Sequence, residues 1–387
     1  MDILVISLPD LKKINPQRPH HILRHLTKNH QVSVISANAW WLNEIEDSLT
    51  VDMFQDVQYS YLSDKKINPI IQELLINKTL DSMIQKGQNF DVCVNFHSIL
   101  AGHILSRHPD LPIVFDICDD IIDWIANSPR IPPLFGPLAG SAAGFLLQKN
   151  VESSSTITYS IESLKQKYNL PDMKSHMIPN GVDTGMFYDK GTHVRKQLGL
   201  SDDGIVLGFV GFLGPWVDLD PVFEAIVELK RHNDISMMIV GDGPRLGHFI
   251  NRTKELSIAE NVIFTGNIQY LDVPDYISSM DICLLPFDTG MVSQNALPLK
   301  LFEYMACRVP VISTPISGVQ HAVGDRIHYF SNSGDLQECI TRIMRDETLY
   351  SVAASEGRQY VEQHFSWNTI LSEFENILFE AVRDERA

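Results

Sequence analysis

Three sets of residues in this sequence have the types and spacing to do chemistry. Lys300 and Glu303 stand three apart at the start of a helical run, 299–306, so one turn of helix brings them to the same face. A glutamate there is favoured by the helix dipole, and a lysine beside unpaired backbone N–H groups suits a phosphate. Such a lysine would neutralise negative charge on a bound phosphate. Taken alone, each residue is equally a helix-terminus acid or a solvated surface cation. The second set closes an apolar strand, 113–117: Asp116, Asp119 and Asp120 fall within five positions. Like charges this close raise one another's pKa, so the cluster is costly to keep without a purpose. Asp119 and Asp120 are candidates to position a polar ligand, one of them as a base. Capping of the next helix would account for one aspartate but hardly for three.

Glycines make the third set. Gly208, Gly211 and Gly214 end one strand, and Gly241-Asp242-Gly243-Pro244 follows the next. Both let backbone approach a ligand or pack closely against a neighbour. Their spacing fails the G-x-G-x-x-G dinucleotide fingerprint, and no G-x-x-x-x-G-K-[ST] loop exists, which argues against dehydrogenases and P-loop enzymes. Asp218-Leu219-Asp220 spells the metal-binding D-x-D but precedes a helix, where an aspartate is an ordinary cap. Neither a catalytic metal nor a cofactor is expected. His97, after strand 92–96, is a candidate to hydrogen-bond an acceptor, although a lone histidine is more often structural. Arg18, in Gln17-Arg18-Pro19-His20-His21, opens a helix and is expected to meet an anionic acceptor or a diphosphate. Cys118 lacks a motif-level histidine partner and is not expected to be a nucleophile.

These residues need a scaffold. Apolar runs bounded by turn residues fit strands at 3–8, 32–36, 57–61, 92–96, 113–117 and 156–159, with helices at 19–28, 69–86 and 99–107. A second series fits strands at 205–210, 236–240, 262–265, 282–286 and 309–313, with helices at 220–231, 245–256, 273–279, 299–306 and 336–345. Near-continuous apolar strands alternating with helices imply parallel sheets covered on both faces. The break falls in 169–204, so two doubly wound α/β domains are expected: 1–177 and 178–365, with a C-terminal helix, 366–387, crossing back to the first. Ligands of such sheets bind beyond the carboxyl ends of the strands, and a cleft between the two domains is the expected substrate site.

Composition narrows the partners. The 387 residues carry 48 acids against 31 lysines and arginines, a net charge of −17, with no basic run to bind nucleic acid or an anionic membrane. Five scattered cysteines form no C-x-x-C pair, which suits a reducing cytoplasm. No signal peptide is read at the N-terminus, and no apolar stretch is long enough to span a bilayer. The stretch 134–147 is too short and too rich in Gly and Pro to cross. It reads as a partly buried loop and helix start, with peripheral contact at the inner membrane face as the alternative.

Ile178-Pro179-Asn180-Gly181-Val182-Asp183 resembles the hinge segment of family 4 GT-B glycosyltransferases, the glycosyl transferases of group 1. The resemblance continues in order through 208–214, 240–244, 264–266 and 284–287. It is most specific in Pro298-Leu299-Lys300-Leu301-Phe302-Glu303-Tyr304-Met305-Ala306-Cys307-Arg308-Val309-Pro310, which is similar to the family's P-x-K-x-x-E-Y-x-A-x-G-x-P. The 17–21 segment, 116–120 and Trp216-Val217-Asp218 resemble a narrower group active in bacterial envelope polysaccharides such as teichuronic acid.

The resemblance implies a GT-B fold of two Rossmann-like domains, the first for the acceptor and the second for a nucleotide-diphosphate sugar. It implies a donor site of Gly211, Phe212, Gly214, Gly241, Gly243, Asn295, Ala296, Leu297, Lys300, Leu301 and Glu303, in which Glu303 accepts hydrogen bonds from the ribose. Asp119, Asp120, Lys300 and Glu303 form the expected catalytic group, and Arg18, His97 and Asp116 the acceptor group. Five positions depart from the family. Phe212 and Val217 replace an arginine and a lysine, Asn295 replaces the first of two glutamates eight apart, Cys118 replaces a histidine, and Arg308, expected at the surface, replaces glycine. The implied activity is metal-independent, retaining sugar transfer to a glycan or lipid-linked acceptor in cell-envelope polysaccharide biosynthesis. A non-catalytic sugar-nucleotide-binding subunit and a nucleotide-sugar epimerase are the rival readings.

Overall fold

The computed structural model describes residues 1–38, 57–65, 68–105, 107–128 and 131–386. They form two compact units, Met1–Pro179 with Asn368–Ala387, and Asn180–Trp367. The unit boundaries therefore fall two residues beyond the positions read from the sequence.

The first unit holds seven parallel strands: β1 (Asp2–Ser7), β2 (Gln31–Ser36), β3 (Val57–Tyr61), β4 (Val92–Phe96), β5 (Ile113–Ile117), β6 (Thr156–Tyr159) and β7 (Ser175–Met177). Their order is β3-β2-β1-β4-β5-β6-β7. Every residue of β4 and β5 is buried, whereas the edge strands β3 and β7 are half-exposed. Helices thus cover both faces of the sheet centre, and the central strands read as unbroken apolar runs.

The second unit holds β8 (Ile205–Val210), β9 (Ile235–Val240), β10 (Val262–Gly266), β11 (Ile282–Leu285), β12 (Val311–Ser313) and β13 (His328–Tyr329), in the order β10-β9-β8-β11-β12-β13. Renumbered within the unit this is 3-2-1-4-5-6, the doubly wound dinucleotide-fold order. Chain direction across the sheet reverses between β1 and β4 in one unit, and between β8 and β11 in the other. Both reversals open a crevice at the carboxyl ends of the strands.

Three features depart from the sequence reading. The expected helix 69–86 is two helices, Pro69–Glu73 and Ile76–Gln85. The expected helix 99–107 is described only as Ala101–Leu105, and position 106 lies outside the described residues. The stretch 134–147 lies mostly within an 18-residue helix, Gly136–Ser153. Gly136 and Gly140 pack against Ala126, and Gly144 against Ile122, leaving no room for side chains on that face. Its large residues Leu138 and Phe145 point outward with Leu134 and Phe135 from the preceding turn, all more than half exposed. No helix among the described residues is long and apolar enough to cross a membrane.

The last helix, Trp367–Arg386, is anchored on the first unit. Glu375 pairs with His25 at 3.1 Å and His30 at 2.6 Å, while Phe374 and Leu378 are fully buried.

Candidate functional site

In the second unit the helix Leu299–Ala306 lies beside the carboxyl ends of β8 and β11. Pro298 starts it with a fixed φ and no side-chain cap, and no acidic residue lies in the first turn. The positive end of the helix is therefore left for an outside anion. Tyr304 sets the rotation of the helix, because its hydroxyl accepts from Val210 N (2.8 Å) at the end of β8. At the other end Arg358 donates to Ala306 O (2.7 Å), a cation on the negative end of the dipole.

That rotation brings Lys300 into the crevice. Its Nζ lies 4.4 Å from the centroid of the Phe209 ring in β8 and 5.5 Å from that of Phe287, just beyond β11. Among the described residues no hydrogen bond or ion pair engages this ammonium. Aromatic faces attract a cation by about 0.5–2 kcal/mol, too little to replace the water it has lost. Burial accordingly pushes the Lys300 pKa down to about 8, with Glu303 opposing the shift. Gly211 makes room for it: its φ of 138° suits glycine, and a Cβ there would collide with Lys300 Nζ.

Glu303 lies on the same face, 8 % exposed, and Tyr270 Oη donates to its Oε1 at 3.0 Å. Burial raises the Glu303 pKa to about 7, with the Tyr270 hydrogen bond and Lys300 pulling the other way. Near neutral pH the pair is thus an ammonium without an anion and a carboxyl poised between its two forms. Such a pair can grip an anion and accept hydrogen bonds from hydroxyls.

Other expected donor residues have internal roles. A Cβ on Gly241 would strike the backbone of Gly211, one on Gly243 the backbone of Leu213, and one on Gly214 the Trp216 ring. These glycines let the loops after β8 and β9 pack on each other, the close-packing role that the sequence reading gave as one of two. Leu297 and Leu301 are buried in the core, so their side chains cannot line a site. Leu297 contributes its carbonyl instead, which accepts from Asn180 Nδ2 at 2.6 Å. Asn295 and Ala296 are half-buried at the end of the short helix Met291–Gln294. Phe212 is 53 % exposed beside Trp216, whereas Val217 is fully buried. Asp220 of the D-x-D is held by Arg252 Nε at 2.8 Å. Arg308 is exposed with φ 63°, the left-handed position that ends the helix and that glycine fills most easily.

In the first unit the three clustered aspartates have three different fates. Asp116 points into the protein, where Arg18 binds it through Nε (2.9 Å) and Nη2 (2.8 Å), and Thr158 Oγ1 donates at 2.6 Å. Arg18 is 2 % exposed and also donates to Pro179 O. The expected acceptor roles of Arg18 and Asp116 are corrected on this ground: each is consumed by the other. Asp120 caps the helix Ile121–Ala126 and accepts from Lys167 Nζ (2.6 Å) and Tyr168 Oη (2.7 Å). Its assignment to catalysis is likewise corrected, since it is buried and fully bonded. Only Asp119 faces outward, 3.6 Å from His97 Nε2. Cys118, expected to lack a histidine, has His97 Nε2 at 3.1 Å. The pairing is invisible in sequence because it joins the ends of two different strands.

Tyr270, Tyr304, Phe209, Phe287 and Asn180 were not singled out from the sequence. Tyr304 lies inside the matched motif and could have been chosen from it, whereas Tyr270 comes from a separate turn with no signature of its own.

Residues 192–360 match the family described as "Glycosyl transferases group 1". The chain is 24% identical over 250 residues to the N-acetyl-alpha-D-glucosaminyl L-malate synthase of Bacillus anthracis, covering 62% of this chain and 64% of that protein. It is 25% identical over 275 residues to the putative teichuronic acid biosynthesis glycosyltransferase TuaH of Bacillus subtilis, covering 70% and 65%. The chain thus spans just under two thirds of the length of these relatives. Among solved structures, Anabaena HepE in complex with UDP-glucose superposes with a TM-score of 0.76 at 16% identity, covering 98% of this chain and all of that one. The fold is GT-B, two Rossmann-like domains in one chain. The stretch that matches the group 1 glycosyl transferases, 192–360, lies within the second unit.

Proposed function

We propose that this chain is a glycosyltransferase that moves a sugar from a nucleoside-diphosphate donor to a glycan or lipid-linked acceptor, with retention of configuration, in envelope polysaccharide biosynthesis. One observation carries the reading. Lys300, a cation without an anion, and Glu303, a buried carboxyl, share one helix face in the crevice where sheets of this order bind nucleotides. Lys300 and the open helix end take the diphosphate, and Glu303 takes the ribose hydroxyls. As the sugar leaves, negative charge grows on the diphosphate, and a preplaced ammonium stabilises it without reorganisation. HepE, a structural neighbour, was solved with UDP-glucose, which supports a sugar nucleotide as donor. The support for the acceptor class is the likeness to TuaH. In the first unit the reading assigns the acceptor to Asp119 and His97, and the exposure of Asp119 beside His97 supports it. The exposed Leu134, Phe135, Leu138 and Phe145 support a peripheral membrane contact.

Titration calorimetry of UDP and a panel of nucleoside-diphosphate sugars against the wild type, Lys300→Met and Glu303→Ala tests the donor site. Loss of about 2–3 kcal/mol of affinity in Lys300→Met is expected for a charged hydrogen bond. Equal affinity in all three proteins would remove the pair from the donor site. A non-catalytic binding subunit is favoured by uncharged Phe212 and Val217. Sugar transfer by the pure protein with a lipid-linked acceptor excludes it.

A further inference from the structure

The cluster at the carboxyl ends of β4 and β5, two of whose residues the sugar-transfer reading sets toward an acceptor, has a geometry that meeting an acceptor does not explain. His97 Nε2, Cys118 Sγ and Asp119 Oδ2 come from three side chains with three different donor atoms. They form a triangle with edges of 3.1 Å (N to S), 3.6 Å (S to O) and 3.6 Å (N to O). Tetrahedral bonds of ~2.0–2.3 Å from zinc to nitrogen, oxygen and sulfur place such atoms ~3.3–3.5 Å apart. The triangle is therefore already close to three corners of a zinc tetrahedron. We infer that His97, Cys118 and Asp119 bind one zinc-class divalent ion, with a fourth position open to solvent.

Three further observations agree. A thiolate and a carboxylate bring two negative charges and the imidazole none, so a divalent ion leaves the set neutral. Thiolate with imidazole selects zinc-class ions over magnesium and calcium, which prefer oxygen cages. Asp119 is 66 % exposed and Cys118 is buried, so the triangle has one closed side and one side facing water. Three protein ligands with an open fourth position is the arrangement of a site that exchanges ligands, not of a structural zinc knot. His97 also holds a left-handed backbone, φ 62°, which a non-glycine residue adopts at a cost, and this turn directs its ring toward Cys118. His97 Nδ1 is buried without a partner in the protein. A metal on Nε2 fixes the proton on that nitrogen, so the buried N–H counts against affinity and places the site below structural-zinc strength.

The inference does not rest on sugar transfer, because metal binding is measured with no sugar present. Full-length protein stripped with chelator is titrated with Co²⁺, and Zn²⁺ is then used to displace it. One Co²⁺ per chain is expected, with a thiolate-to-cobalt charge-transfer band that zinc abolishes. Cys118→Ser is expected to lose the band, and His97→Gln and Asp119→Asn to weaken binding by at least about tenfold. Cys339→Ser removes a partly exposed thiol elsewhere and is expected to keep the band. Asp119 is exposed, so Asp119→Asn leaves packing intact and carries the test should Cys118→Ser fail to fold. No stoichiometric binding by the wild type, an unchanged band in Cys118→Ser, or unchanged affinity in Asp119→Asn overturns the inference. A plain Cys–His–Asp hydrogen-bonded group gives that result.

Discussion

The crevices of the two units are built alike and use charge in opposite ways. In each, the strand order reverses beside the first strand, and ionisable residues gather at the carboxyl ends. In the first unit most of that charge is spent internally: Arg18 on Asp116, and Lys167 on Asp120. In the second, Lys300 is brought to the crevice on a helix and given aromatic faces and a glycine in place of an anion. A protein keeps a half-buried ammonium unpaired only at a cost in stability, and such strained electrostatics gather at sites that bind something. Ionisable residue type alone does not separate a scaffold pair from a ligand site; whether a partner is already present does.

The contrast predicts a large asymmetry between the two units. Arg18→Ala leaves Asp116 buried with its main partner gone, and stability is expected to fall by about 3–5 kcal/mol. Lys300→Met, which removes an unpaired cation, is expected to leave stability unchanged or raise it. Denaturant unfolding of both variants measures this directly, and comparable losses would erase the distinction.

Gly211→Ala comes next. It strains a backbone at φ 138° and drives Lys300 Nζ from its place, so nucleotide affinity is expected to fall at least tenfold, about 1.4 kcal/mol. Gly241→Ala is expected to act differently, lowering stability through its clash with the Gly211 backbone. Separate measurement of melting temperature and affinity distinguishes the two.

The pH dependence follows from two shifted groups. Lys300, with a pKa near 8, loses its charge above that pH, so affinity for a diphosphate falls as pH rises past 8. Glu303, near 7, gains a proton below that pH and loses the charge that strengthens its acceptance from hydroxyls, so affinity also falls on the acid side. Binding is expected to peak between about 7 and 8. A bound diphosphate raises the Lys300 pKa again, so binding near pH 8 takes up a proton. Calorimetry in buffers of different ionisation heat detects that uptake, and affinity flat from pH 6 to pH 9 would contradict it. The smallest expected effect is Arg308→Gly, which relieves a left-handed residue and stabilises by about 0.5–1 kcal/mol in thermal unfolding.

Much of this was legible in the sequence because short-range pattern decides it. The helix 299–306 has the expected limits because Pro298 fixes its start and a left-handed residue ends it. The central strands matched because burial on both faces makes them continuous apolar runs. β7 and β13, three and two residues long, are too short to show any period. The helix Gly136–Ser153 was read only in part because its pattern is inverted, small residues facing the protein and large ones facing out. The site was less legible than the fold. Whether Asp116, Asp119 or Asp120 faces inward depends on where β5 stops pleating and the next helix begins. Asp116 pairs with Thr158 across the sheet, Asp120 caps the helix, and Asp119 between them is left outside. The pairing of Tyr270 with Glu303 and of His97 with Cys118 joins residues far apart in sequence, and neither leaves a local signature.

The most direct measurement is a structure of the full chain with a nucleoside diphosphate bound. The terminal phosphate is expected within hydrogen-bond reach of Lys300 Nζ and the first amides of the helix Leu299–Ala306, with the ribose hydroxyls on Glu303. A nucleotide bound elsewhere, with Lys300 and Glu303 both beyond hydrogen-bond reach of it, would contradict the account.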